Sequence, residues 1–114
     1  MSKVFNLWVK NIRNGNIKNV VDLYSKQNLS FLPTLNSKII SKTDDVDNYF
    51  KKLLTNNVNN VVILEVIDKK LTDTQTLLCG NYNFSTVDGH LLNCRYSFVI
   101  EDDKIIHHHS SMVP

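Results

Sequence analysis

The chain has no apolar run long enough to cross a membrane. Its first residues, Met1-Ser2-Lys3-Val4-Phe5-Asn6, lack the apolar core and cleavage site of a signal peptide. The expectation is a cytoplasmic protein with no membrane partner. Net charge is nearly missing too, at +2 over 114 residues. Lysines and arginines are scattered rather than clustered, which argues against nucleic acid as a partner. Alanine is absent, and arginine occurs only as Arg13 and Arg95, against fifteen Asn and eleven Lys. That balance resembles AT-rich coding and makes each arginine more noticeable. Cysteine is limited to Cys79 and Cys94.

What is present fits one domain with its own core, spanning residues 1–114. Val4, Phe5, Trp8, Val9 and Ile12 recur at helical spacing, and Gly15 follows as a left-handed cap, so residues 3–14 read as a helix. Ile17, Val20, Val21 and Tyr24 form a shorter helical stripe. Leu29 to Leu35 reads as extended, with Pro33 arguing against a central strand. Lys38-Ile39-Ile40 reads as a short strand. Thr43 with Asp44 and Asp45 reads as a helix start, and Val46, Tyr49, Phe50, Leu53 and Leu54 supply its apolar face. Asn56 to Asn60 reads as a linker.

Then the period changes. Val61 to Lys69, Thr74 to Val87, His90 to Glu101 and Lys104 to Met112 read as strands. Asp88-Gly89 predicts a two-residue type I′ hairpin, and Glu101 to Lys104 a tight turn. Helices followed by an antiparallel meander define an α+β fold.

The predicted hairpin pairs Val87 with His90, and so Tyr82 with Arg95 and Gly80 with Ser97. One face then carries Leu78, Tyr82, Phe84, Arg95, Ser97 and Val99, and it should look inward because Leu78, Tyr82 and Phe84 contrast with Asn81, Asn83 and Ser85 on the other face. The final turn sets Ser97 against His108 and Arg95 against Ser110. Tyr82, Arg95, Ser97, His108 and Ser110 thus line a candidate pocket. Tyr96, Phe98, His107 and His109 fall on the outward face. On this register Cys79 and Cys94 lie about four residues, or about 13 Å, out of step, too far for a disulfide.

These pieces resemble a known superfamily. Gly15-Asn16, Phe31-Leu32-Pro33-Thr34-Leu35, Tyr49-Phe50, Gly80-Asn81-Tyr82-Asn83-Phe84, Arg95-Tyr96-Ser97-Phe98-Val99 and His108-His109-Ser110-Ser111 look like the nuclear transport factor 2-like (SnoaL-like) superfamily. More narrowly, the chain is similar to the association domain of calcium/calmodulin-dependent protein kinase II and to small bacterial proteins of the SgcJ/EcaC type. The resemblance implies a cone, with three N-terminal helices packed in a curved antiparallel sheet, as in cystatin-like folds. It implies homodimers through the outer sheet face, near Tyr96, Phe98, His107 and His109. Kinase activity does not follow from it, since this sequence carries neither the kinase catalytic domain nor the calmodulin-binding segment, and no cofactor is expected. Kinase hubs hold several pocket arginines; the corresponding positions here fall near Tyr82, Ser97 and Ser110, with Arg95 beside them.

Two functions compete at this level. The leading one is a non-enzymatic, oligomerising domain whose pocket binds a small polar or anionic molecule. The rival is a cofactor-independent isomerase or hydrolyase, with His108 as acid–base group and Tyr82 and Arg95 steadying negative charge. No carboxylate on the inward face orients His108, so a hydrogen-bonded wall residue is the plainer reading. Arg95 needs an anion, or else an acid such as Glu65 or Asp45. His107 and His109 have the spacing of two metal ligands on a strand, but His90 and Glu101 are the only further donors to suggest, so no metal is expected. The sequons at Asn28 and Asn83 are discounted without a secretion signal.

Overall fold

A computed structural model describes residues 2–114. Ser2 opens α1 (Lys3–Asn14) by accepting a hydrogen bond from the Phe5 amide at 3.2 Å, and Gly15 closes it with φ of 68°. Its apolar stripe is buried as the spacing predicts, and Trp8 is fully enclosed. The second stripe gives α2 (Ile17–Val21). The third helix, α3 (Thr43–Lys52), starts with Lys42 rather than Thr43 in the cap position, and no side chain caps it. It winds on into a π-helical turn, Leu53–Asn57, so the expected linker is helix followed at once by strand.

Five strands form one sheet: β1 (Ser30–Leu32), β2 (Val58–Lys70), β3 (Gln75–Thr86), β4 (Leu91–Glu101) and β5 (Lys104–Met112), in the order β1-β5-β4-β3-β2. β2 to β5 make the expected antiparallel meander. β1 is a short edge strand lying parallel to β5, and Pro33 follows it directly. Lys38–Ile40 does not form a strand. Only Ile40 bridges back, exchanging two 2.8 Å bonds with Phe31.

Two details of the sheet overturn the predicted faces. The β3–β4 connection is not a two-residue hairpin. Thr86 and His90 close a three-residue loop, with Gly89 in the left-handed region at φ 87° and the Thr86 hydroxyl bonded to Asp88. The extra residue moves the register by one, so Tyr82 pairs with Cys94 and Asn81 with Arg95. Every β4 side chain therefore changes face. Cys94, Tyr96, Phe98 and Ile100 point into the core, and Arg95 is exposed. Cys79 now pairs with Ser97, three positions from Cys94 and on the opposite face, and both thiols are free. The type I′ geometry belongs instead to Asp102 and Asp103, with φ of 49° and 64°.

A second irregularity sits between Val99 and Ile100. Ile100 pairs with Ile105 but Val99 with His107, leaving Ile106 as an extra residue on β5. It turns β5 over again, so Ile105, His108 and Ser110 are all buried.

A further bulge bends β2 between Ile63 and Glu65. It swings the Glu65 carbonyl inward over Gly80, where the Tyr96 hydroxyl donates to it at 2.9 Å. A Cβ on residue 80 would lie 1.9 Å from that oxygen, so only glycine fits. β2 is also a sheet edge, and the Arg13 Nε donates to its Val61 carbonyl at 2.9 Å.

Candidate functional site

His108 is the most enclosed polar side chain of the core, 1% exposed. β5 carries it inward, and its ring lies between two others. Phe98 stacks at 3.9 Å and Phe31 at 4.5 Å, within 19° and 7° of parallel, while Trp8 meets it edge-on at 5.7 Å. Both ring nitrogens are bonded to phenols: Nδ1 to Tyr24 Oη at 2.8 Å and Nε2 to Tyr82 Oη at 3.2 Å.

The proton arrangement follows from the donors. Trp8 Nε1 can only donate, and it lies 3.1 Å from Tyr24 Oη. Tyr24 has no other partner among the described residues besides His108, so its hydroxyl proton goes to Nδ1. His108 is then the neutral Nε2–H tautomer and donates to Tyr82. Ser110 lines the same small cavity as Tyr82, and its hydroxyl lies 2.6 Å from that of Thr34. A polar chain thus crosses the core from Trp8 through Tyr24 and His108 to Tyr82, with the Ser110–Thr34 pair beside its end.

Burial fixes this chain in its neutral form. It holds the His108 imidazolium well below its ordinary pKa of 6.5, helped by the neighbouring His107 and His109. Burial also lifts Tyr24 and Tyr82 well above the usual phenol value of 10.0. Among the described residues no carboxylate bonds His108, and both ring nitrogens are engaged by phenols rather than free for a substrate. The cavity beside it, walled by Trp8, Pro33, Phe50, Tyr82, His108 and Ser110, measures about 10 Å³. That is room for a single water.

The structure brings Tyr82, His108 and Ser110 together, as the sequence suggests. It does not bring Arg95 or Ser97 to them. Both sit on the outer face, for the register reason above, and Arg95 makes no ion pair with Glu65, Asp45 or any other described acid. Tyr96 and Phe98, expected outside, are core residues. His107 and His109 do lie outward. His107 Nδ1 meets Ser30 Oγ at 2.7 Å, which secures β1 to β5. Among the described residues no cluster of His, Cys, Asp or Glu could hold a metal. Sequence reasoning missed Tyr24, Trp8 and Thr34. Tyr24 was legible only as a helix-stripe aromatic, and its pairing with His108 spans most of the chain.

A curved five-stranded sheet wrapped on helices defines an α+β protein of the nuclear transport factor 2-like, cystatin-like fold. The chain belongs to the calcium/calmodulin dependent protein kinase II association domain family, whose pattern it matches over residues 1–114. A Xanthomonas campestris protein named for the same association domain is 32% identical; the match covers 96% of this chain and 83% of that one, with a TM-score of 0.84. A nuclear transport factor 2-like protein of unknown function from Shewanella oneidensis is 15% identical over 96% and 93% of the two chains, with a TM-score of 0.77. A Bacillus subtilis protein named as a candidate isomerase is 15% identical over 98% and 85%, with a TM-score of 0.72. The last two show the fold alone. No curated protein matches the chain. Among the described residues no helix is long and apolar enough to cross a membrane.

Proposed function

We propose that the chain is a non-catalytic association module that homo-oligomerises through the outer face of its sheet. The observation that carries this reading is the division of the protein into a filled interior and an unfilled outer face. Inside, aromatic rings occupy the cone down to one water's space. Outside, the register lines up Lys69, Leu77, Val99 and His107 in one row and Ile67, Cys79, Ser97 and His109 in the next. Ile67 is 45% exposed, and Val62 and Leu64 of the same strand are also exposed. Such rows are what a second copy can cover about a two-fold axis. The corrected register replaces Tyr96 and Phe98 by Ser97 and Val99 as interface residues and keeps His107 and His109.

Sedimentation at micromolar concentration tests the proposal. The wild type should run as a dimer or larger. Val99→Asp, which sets a carboxylate in the middle of the face, should run as a monomer with an unchanged circular dichroism spectrum. A wild type that is monomeric throughout that range would remove the basis of the reading.

The convergence of Tyr82, His108 and Ser110 favours a second reading, a site for a small polar or anionic ligand. Such a ligand requires the cavity to widen, because the space present takes one water. The isomerase or hydrolyase role of His108 draws less support, since both ring nitrogens are engaged and no acid orients them.

A further inference from the structure

A separate cleft lies on the far side of Tyr49 from the cavity at His108. It runs between α3 and the loop that follows β1, and it measures about 310 Å³. That is within the range of small-molecule sites. One wall is a single helix face: Asp45, Asn48, Tyr49 and Lys52. This face is not the one α3 buries, which carries Val46 and Phe50. The other wall is the loop, with Leu35, Lys38 and Ile39.

Two properties of this cleft are unspent by the fold. The first is apolar. Leu35 is 56% exposed and Ile39 67%, two large side chains that flank one opening beside the Tyr49 ring. The second is electrostatic. Lys38 and Lys52 line the cleft, and neither forms an ion pair among the described residues. Asp45 is the one acid in the lining. It sits in the first turn of α3, where the helix dipole favours it, seven residues and about 10 Å along the axis from Lys52. The cleft is therefore polarised, with an acid at one end, a lysine at the other and apolar walls between.

We infer that this cleft is a binding site for a small amphipathic anion, a carboxylate on a short apolar chain or ring. The carboxylate lies toward Lys52, at the end away from Asp45, with Lys38 adding positive charge to the lining, and the apolar part lies against Leu35, Ile39 and the Tyr49 ring. Tyr49 separates this site from the inner cavity, since it lines both. Burial raises its phenol to about 12, so it faces the cleft as a neutral donor at physiological pH. The site is independent of the outer sheet face and does not rest on the association reading.

Hexanoate, with hexylammonium as the same chain of opposite charge, tests the site on the isotope-labelled full chain by amide chemical-shift perturbation. Hexanoate should give saturable shifts confined to residues 35–40 and 45–52, and hexylammonium none. Lys38→Gln with Lys52→Gln should weaken hexanoate about tenfold. Asp45→Asn should tighten it, by removing the like charge. Equal binding of hexylammonium, or affinity unchanged in the double lysine variant, would overturn the inference. So would shifts centred on Tyr82, His108 and Ser110, which would assign the anion to the inner cavity. Val99→Asp should bind hexanoate like the wild type, so failure of the association reading leaves this result interpretable.

Discussion

Replacing His108 with alanine should destabilise the protein by about 4 kcal/mol, measured by chemical denaturation. Two losses add. The stack between Phe31 and Phe98 becomes a void, and the Tyr24 and Tyr82 hydroxyls lose a buried partner at once. His108→Phe separates these effects. It refills the stack and loses only the hydrogen bonds, for about 2 kcal/mol. A loss below 1 kcal/mol for the alanine variant would mean that the polar chain does not organise the core.

The same pair of variants fixes the pH dependence. The unfolded chain protonates this imidazole near 6.5, and the folded chain only well below that. Below about pH 6.5 the unfolded state binds the extra proton, so stability falls as pH falls, with a slope approaching 1.4 kcal/mol per unit. Above that pH the contribution is complete and flat. Subtracting the His108→Phe profile from the wild-type one between pH 7 and 5 isolates this slope from those of His107 and the carboxylates. Parallel profiles would show that His108 takes up its proton as readily in the folded chain as in the unfolded one, so that burial does not hold it neutral.

Gly80→Ala is the second large effect expected, at about 3 kcal/mol or more. The added methyl would sit 1.9 Å from a backbone oxygen, and backbone cannot rotate aside as a side chain can. The bulge of β2 must then relax, and the Tyr96 bond to Glu65 is lost with it. Gly15→Ala and Gly89→Ala provide the comparison. A Cβ at either meets nothing within 4 Å, but both need a positive φ, so each should cost about 1 kcal/mol. If all three variants melt alike, the close approach at Gly80 is not what restricts that position.

Most of the fold can be read from local patterns. The α1 stripe, its glycine cap and the meander depend on spacing within one element. Irregularities between elements cannot be read that way. Asp88-Gly89 signals a type I′ turn, yet the Thr86 hydroxyl binds Asp88 and lengthens the loop by one residue. The alternation of Cys94, Tyr96, Phe98 and Ile100 against Asn93, Arg95 and Ser97 marked the correct face all along. It is stronger evidence than one turn dipeptide, because burying an arginine and a serine costs more than an imperfect turn. His108 and Ser110 still come out inward because the lengthened loop and the extra Ile106 reverse the faces twice. Tyr82 and His108 were thus found together by two cancelling displacements, and Arg95 was misplaced by the first of them. Nothing local could join Trp8 and Tyr24 to His108, since each pairing is made only by the closed cone.

The Arg13 contact with the Val61 carbonyl has a consequence for growth. β2 is the longest strand and one border of the sheet, and an open border of that length invites another chain to add itself strand by strand without limit. The guanidinium occupies that border near its start, at Val61, and the bulge that follows breaks the straight run an incoming strand would need. Straight pairing of a further strand along the start of that border is therefore obstructed. The two-fold association proposed above, through the outer sheet face, would by contrast close on itself as a finite, symmetric particle rather than extend as a fibre.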